Sequence, residues 1–322
     1  MTTPRLPRQA CPGLHTDTET EDSVQALRRI LAATDSAAQG GQVELRGMRL
    51  AAALHIDTLE VMKVRREPAA RETADSIDSA VETLAAQRVA FGAIPCIRRP
   101  RFVTSIRYGT PHKAIVERAH EMNADLTLVA AHGEGLMADL RTRRDNSELL
   151  RRTRCPVVLV NASASFPYRR ILIPTDFSEG SMAAARVALM LAPAAQITFL
   201  HVFQLDDEDL MRELGVTADV IASERLRCAR SARQALDTFM AGVGVGSRIA
   251  TCVVERGQPV RVIQRYAEQL GADLIAIGRG NRSRLHELFL GSVAQRLVDQ
   301  STSDLLVASQ VAGDDWDDRP AA

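Results

Sequence analysis

The chain contains the same segment twice. Residues 28–36 (RRILAATDS) match residues 169–177 (RRILIPTDF) at an offset of 141 residues, and residues 124–130 (ADLTLVA) match residues 272–278 (ADLIAIG) at an offset of 148. The second copy is therefore seven residues longer between these points. A repeat of this length spans a whole structural unit, so we expect two units of one architecture.

Within each half, short apolar runs alternate with segments of helical periodicity, which is the pattern of βαβ crossovers. The predicted fold class is therefore α/β, with two tandem doubly wound parallel five-stranded sheet domains. Predicted strands lie near 28–34, 54–64, 102–108, 125–131 and 156–160, and then near 169–175, 196–203, 248–254, 273–277 and 304–309. Predicted helices lie near 41–53, 70–91, 111–122 and 145–154, and then near 181–192, 218–241, 259–270 and 292–300.

The length of 322 residues fits two domains of about 150 residues each. We place the first domain at 23–161 and the second at 168–311, joined by a short polar linker. Residues 1–22 contain no apolar core segment, so we expect a disordered lead-in and not a secretory signal. Residues 312–322 are acidic, and we expect a frayed tail.

Composition argues against several classes of partner. Forty basic and forty acidic residues cancel, so no global field favours nucleic acid or an anionic membrane. No apolar run approaches the roughly 20 residues of a membrane-spanning helix. The five cysteines form no C-x-x-C pair, which favours a reducing compartment over metal or redox work. We therefore expect a cytoplasmic protein without a nucleic-acid or membrane partner.

The second half contains a strand, a glycine-containing loop and a helix start, in that order. An apolar run ends at Gly278, and Gly291 and Ser292 open a helix with no carboxylate until Asp299. N–H groups at such a helix start carry roughly half an elementary positive charge, which suits a phosphate group in a parallel sheet. Three loop arginines would add positive charge: Arg279, Arg282 and Arg284. On spacing alone, a glycine turn and a serine cap on an ordinary crossover helix is the competing interpretation.

The second half resembles the universal stress protein family, and the doubled unit is similar to its tandem-domain members. The resemblance rests first on ILIPTDFSEGS at 171–181 and on LHV at 200–202. It rests also on the family's nucleotide signature, in which G-x-x-G is followed by nine residues and then by G-S. Here this signature begins at Gly278 and ends with Gly291 and Ser292. Asn281 stands where the second glycine of that signature would be. Asn enters the left-handed region more readily than most residues, and Gly280 could partly compensate.

This resemblance implies an adenine nucleotide alpha hydrolase-like fold that binds ATP, possibly with Mg²⁺. The family's ATP contacts fall on Pro174, Asp176, Val202, Ile277, Gly278, Asn281, Gly291, Ser292 and Val293. The first three would lie beside the adenine and ribose, and the last three would reach the phosphates through backbone N–H groups. Asp176 is also the plausible Mg²⁺ ligand. Its alternative role is to cap the next helix together with Ser178 and Ser181.

The first half departs from this signature, and we interpret its site as degenerate. Arg143 and Arg144 stand in place of the glycine and serine, and the following helix is predicted to begin at Asp145. Asp145 and Glu148 have the spacing of a capping box, which would occupy the N–H groups that a phosphate needs. A rival idea is that Arg141, Arg143 and Arg144 grip a different anion, but a solvated basic loop is the preferred interpretation.

No P-loop, H-E-x-x-H or G-x-S-x-G motif occurs in the sequence. No obvious general base lies near the predicted phosphate site, so we expect at most a slow ATPase. The leading hypothesis is an ATP-binding regulatory protein of the stress response. The resemblance also implies that the final strands pair across domains or subunits, and we expect a homodimer through them. The alternatives are a non-nucleotide interaction module, in which Asn281 has closed the site, and, less favoured, a nucleotidyl transferase.

Overall fold

The computed structural model describes residues 27–34, 37–65, 99–132, 136–161, 167–205, 208–245, 250–280 and 290–308, together with positions 89, 91, 92 and 94. The predicted lead-in and acidic tail lie outside these residues, as do Asn281 and most of the predicted helix near 70–91.

The described residues form ten strands and eight helices. The strands are β1 (Arg29–Thr34), β2 (Thr58–Arg65), β3 (Arg101–Tyr108), β4 (Leu126–Ala130), β5 (Val157–Val160), β6 (Arg170–Pro174), β7 (Gln196–Phe203), β8 (Ala250–Arg256), β9 (Leu274–Gly278) and β10 (Asp304–Ala308). The helices are α1 (Ala37–Ala53), α2 (Pro111–Glu121), α3 (Leu136–Arg152), α4 (Glu179–Leu191), α5 (Glu208–Glu213), α6 (Ala218–Val243), α7 (Pro259–Leu270) and α8 (Ser292–Gln300).

The ten strands form one sheet in the order β3-β2-β1-β4-β5-β10-β9-β6-β7-β8. Within each half, neighbouring strands are parallel, as in β1–β4 and β6–β9. Helices cover both faces. Alternate residues of β1 enter opposite cores, with Ile30 and Ala32 on the α1, α4 and α6 side and Leu31 and Ala33 on the other side. The predicted α/β class with two parallel five-stranded units is confirmed.

The two halves join through their final strands. β5 and β10 run antiparallel, with Leu305 opposite Leu159 and Leu306 opposite Val158. The predicted pairing across domains is therefore present within one chain. Because β5 also pairs with β4, and β10 with β9, neither strand keeps an open edge. Because the chain's own halves already pair these strands, the structure gives no support to a homodimer through them, and the homodimer itself stays a prediction.

A buried ionic cluster holds the same junction. Arg46 on α1 lies 2.9 Å from Asp304 at the start of β10, and both side chains are at most 1% exposed. The Tyr168 hydroxyl donates to Oδ2 of Asp304 at 2.8 Å, and the Asn161 N–H donates to Oδ1 at 2.9 Å. Burial and the Asp304 carboxylate together hold the pKa of Tyr168 well above its usual range. Asp304 therefore connects the first half, the ends of the linker and the second half.

Helix α3 begins at Leu136, so the prediction of a helix start at Asp145 is wrong. Asp145 and Glu148 lie inside the helix and form no capping box. Arg143 and Arg144 also belong to the helix and not to a loop. The apolar pattern concealed this helix because its buried stripe includes the polar side chains Thr142 and Asn146.

The short helix α5 was not predicted from the sequence. Its first residue, Glu208, accepts hydrogen bonds from three arginines: Arg212, Arg225 and Arg256. The hydrogen bond from Arg225 is the main cause that lowers the pKa of Glu208 to about 2. Arg225 and Arg256 lie outside this helix, so contacts distant in sequence help to hold it, and the sequence shows no local apolar periodicity there.

We predict that Asp304→Ala lowers the free energy of unfolding by about 3–5 kcal/mol, because it leaves the Arg46 charge buried without its carboxylate. Urea denaturation followed by circular dichroism measures the difference. Glu224→Ala is the control, because it removes an ion pair with Arg227 whose arginine is 73% exposed. The control is expected to leave the urea midpoint unchanged. Equal midpoints for Asp304→Ala and the wild type would contradict the role of the cluster.

Candidate functional site

A cavity of about 790 Å³ lies at the carboxyl ends of the second half's strands. Its walls are the loop after β6, the end of β7, the turn between β8 and α7, the end of β9 and the start of α8. β6 and β9 are the neighbours at which the strand order reverses. An open parallel sheet binds its ligands at this position, because the two adjoining loops diverge to opposite faces.

The structure brings the predicted site residues together around this cavity. Its lining includes Pro174, Asp176, Val202, Ile277, Gly278, Gly291, Ser292 and Val293. Asn281, the remaining member of the predicted set, lies outside the described residues.

Helix α8 presents an uncapped start to the cavity. Gly291 is its N-cap and has no side chain with which to cap the helix, and the first turn contains no acidic residue. The first intrahelical bond runs from the N–H of Gln295 to the carbonyl of Gly291 at 2.8 Å. The N–H groups of Ser292, Val293 and Ala294 therefore precede the helical bonding pattern and have no acceptor within the helix.

One predicted donor has another partner. The N–H of Gly291 donates to the carbonyl of Arg279 at 2.8 Å, so it does not point to a ligand. The predicted contribution of this N–H group to phosphate binding is therefore wrong. Gly291 acts instead by joining the end of the β9 loop to the start of α8.

The glycines around the cavity allow backbones to approach closely. A Cβ on Gly278 would lie 2.5 Å from backbone atoms of Gly180 and Ser181, so β9 ends directly against the start of α4. Gly280 has a φ of +80°, which side-chain-bearing residues rarely adopt, and a Cβ there would lie 3.3 Å from the Cα of Gly291. A left-handed residue is thus found at Gly280, one position before Asn281.

Asp176 is held by the turn that starts α4. Its Oδ1 accepts hydrogen bonds from the Ser178 N–H at 3.1 Å, the Ser178 hydroxyl at 2.5 Å and the Ser181 hydroxyl at 2.7 Å. Burial raises the pKa of Asp176, but these hydrogen bonds outweigh it and the net pKa is lowered. The capping alternative is therefore present in the structure. Among the described residues, no group of three or more His, Cys, Asp or Glu side chains converges to hold a metal ion.

Several lining residues were not predicted from the sequence. They include His201 and Gln204 at the end of β7, Gln258 and Pro259 at the start of α7, and Arg296 on α8. His201 stacks on Phe177 with ring centroids 4.3 Å apart, and its Nδ1 donates to the Thr175 carbonyl at 2.9 Å. All but Arg296 lie at or just after the carboxyl end of a strand, so applying that rule to β7 and β8 would have found them.

The loop arginines behave differently from the prediction. Arg279 directs its guanidinium to the carbonyl of Thr153 in the first half, at 2.5 Å, and burial lowers its pKa. Arg282 and Arg284 lie outside the described residues. Arg296 on α8 lines the cavity and is exposed.

The corresponding place in the first half is filled. Its cavity measures only about 20 Å³. Asn146 on α3 donates to the carbonyls of Ala130 and Ala131 at the end of β4, at 2.9 and 3.1 Å. His112 and Asp145 meet at 2.8 Å across the same space. Side chains of α3 thus occupy the position that the predicted capping box was expected to block.

Within the described residues, no helix has both the length and the apolar character needed to cross a membrane.

Comparison with known proteins agrees with this architecture. Universal stress protein E of Escherichia coli is 25% identical over 227 residues, which is 65% of this chain and 68% of that protein. Universal stress protein MJ0577 of Methanocaldococcus jannaschii is 27% identical over 161 residues, which is 45% of this chain and 98% of that protein. The solved structure of a functionally unknown Pseudomonas aeruginosa protein shares the fold, with a TM-score of 0.63 at 18% identity over 90% of this chain and 95% of that one.

The sequence model of the universal stress protein family matches the chain twice, at residues 26–161 and 167–309. Each match spans one of the two five-stranded units. The chain therefore belongs to the universal stress protein family and carries the family's domain twice.

Proposed function

We propose that the chain binds an adenine nucleotide, ATP with Mg²⁺, in the cavity of its second half. The observation that carries the proposal is the uncapped start of α8, which faces a 790 Å³ cavity at the switch point of the sheet. An anion there would gain the N–H groups of Ser292, Val293 and Ala294 and the positive end of the helix. The Ser292 hydroxyl and Arg296 supply further donors on the same helix.

The remaining walls fit the rest of a nucleotide. Val202, Ile277, Val260 and Ile263 give the cavity an apolar side suited to a base, while Pro174 closes the end of β6. Asp176 is the acidic residue at the opening. Its three serine hydrogen bonds end on Oδ1, which leaves Oδ2 as the oxygen to meet Mg²⁺, a cation that typically takes one or two carboxylates beside phosphate oxygens.

The residues at this cavity favour retention of ATP over rapid hydrolysis. Asp176 is ionised, but its Oδ1 is committed to the helix cap, and His201 is fixed by Phe177 and the Thr175 carbonyl. A general base for phosphoryl transfer must reach the attacking oxygen. In this proposal Oδ2 of Asp176 is engaged by Mg²⁺, and the Nδ1 hydrogen bond holds the His201 ring beside the loop after β6. Nucleotide binding would therefore act as a conformational or assembly signal in a stress response. A cytoplasmic location stays a prediction from cysteine usage.

The first test is the identity of the small molecule that accompanies the protein. Mass spectrometry of denatured, freshly purified protein is expected to release an adenine nucleotide, and millimolar MgATP is expected to raise the melting temperature. Release of AMP or a cyclic nucleotide would keep the site and change the ligand. No released nucleotide together with no thermal shift would contradict the proposal and favour the non-nucleotide interaction module.

The second test places a charge at the helix start. Ser292→Glu is expected to abolish ATP binding, because its carboxylate would compete with the phosphates for the N–H groups of α8. Ser292 is exposed, and an acid in the first turn favours a helix, so the melting temperature without nucleotide should not fall. Ser292→Gln is the matched neutral control and is expected to retain binding. Isothermal titration calorimetry compares the three proteins, and equal ATP affinity for the Glu and Gln variants would argue against the site.

The third test concerns the ionisation of Asp176. Because its folded pKa lies below the ordinary value of about 3.9, the carboxylate stabilises the fold above that pH, and this contribution is lost as pH falls through the folded pKa. Asp176→Asn is expected to lower the urea midpoint at pH 7, with the difference from wild type shrinking below about pH 4. A difference that stays constant with pH would show that the serine hydrogen bonds do not favour the charged form.

A further inference from the structure

Arg279 crosses from the wall of the second half's cavity to the first half. It lies between Gly278 at the end of β9 and Gly280 in the left-handed region. Its side chain points to the Thr153 carbonyl in the first half. We infer that Arg279 is a positioning residue, through which the first half holds the phosphate-binding backbone of the second half in its binding geometry. The inference rests on the proposed function for the identity of the ligand. The positioning of the backbone by Arg279 can be tested without a ligand.

The backbone of Arg279 connects three parts of the site. Its N–H donates to the carbonyl of Ala308 at the end of β10, at 2.7 Å. Its carbonyl accepts the N–H of Gly291 at 2.8 Å, which fixes the start of α8 against the end of β9. Any displacement of this residue therefore moves the donors of Ser292 and Val293 relative to the strand.

The glycines on both sides of Arg279 give this segment little stiffness of its own. Glycine populates many backbone conformations, so Gly278 and Gly280 permit the close approach but do not enforce it. An anchor on the side chain between them would restrict the segment. The guanidinium of Arg279 supplies that anchor by its 2.5 Å hydrogen bond to the Thr153 carbonyl.

The anchor point is a rigid part of the first half. Thr153 is 2% exposed and follows α3 directly, and its N–H and hydroxyl both bond to the Leu149 carbonyl, at 2.8 and 2.7 Å. A positive charge at the carboxyl end of a helix is favourable because it meets the negative end of the helix dipole. This position offsets part of the cost of burying the guanidinium.

Two other contacts tie the same helices together. Gln295 in the first turns of α8 donates to the Ser147 hydroxyl on α3 at 3.1 Å. Arg143 on α3 donates to the Asp299 carbonyl near the end of α8 at 2.7 Å. With Arg279, the first half thus holds the phosphate-facing helix near its start, along its side and near its end. Side chains of α3 fill the cavity of the first half, and the same helix supports α8.

The experiment uses the full chain with Arg279→Ala, and MgATP as the ligand. The variant is expected to bind MgATP about tenfold more weakly, since a charge-assisted hydrogen bond commonly contributes at least that factor to an equilibrium. Arg279→Lys retains one donor of similar reach and is expected to restore part of the affinity. Arg186→Ala is the control, because Arg186 also donates to a backbone carbonyl of the second half, that of Gly242 at 3.0 Å, away from the cavity.

Hydrogen exchange separates positioning from general stability. Without nucleotide, Arg279→Ala and, to a smaller extent, Arg279→Lys are expected to speed exchange of the Gly291 amide, whereas Arg186→Ala is not. Unchanged exchange in both Arg279 variants would overturn the inference. If exchange quickens but the wild type binds no MgATP, the positioning role stands and the proposed function fails. If wild type and Arg279→Ala bind MgATP equally, the proposed function stands and the positioning role in binding fails.

Discussion

The structure depends on the antiparallel pairing of β5 with β10. This single junction turns two five-stranded units into one sheet and removes the open edge that each unit would otherwise expose. It also brings Asp304 beside Arg46 and Tyr168, and α3 beside α8. The contacts of Arg279, Gln295 and Arg143 between the halves lie beside that strand pair.

Much of the fold could be predicted from the sequence because its central strands are buried on both faces. β1 packs Ile30 into one core and Leu31 into the other, so it is a continuous apolar run bounded by polar residues. The start of α3 could not be predicted, since its inward face includes Asn146, whose amide is satisfied by carbonyls of β4. Helix α5 was missed for a related reason: it depends on the arginines around Glu208, and those contacts have no local period.

The site could be located from the sequence more readily than its hydrogen bonds could be assigned. The positions of the glycines and of the strand ends in the sequence predicted several of the residues from Pro174 to Val293 that line the cavity. Which N–H groups point into the cavity depends on the neighbouring backbone, and sequence spacing does not reveal that Gly291 bonds to Arg279. The direction of the Arg279 side chain likewise depends on the position of Thr153. Thr153 is 126 residues away in the sequence, and only the pairing of the strands brings the two residues together.

The cavities at the corresponding places of the two halves are unequal, at about 790 Å³ in the second half and about 20 Å³ in the first. Under the proposed function, a single chain takes up one ligand and its saturation curve is hyperbolic. Any sigmoidal response to ligand concentration would then have to arise between chains. Under the same proposal, the duplication of a domain has produced one ligand-binding unit and one supporting unit, and not two interacting binding units.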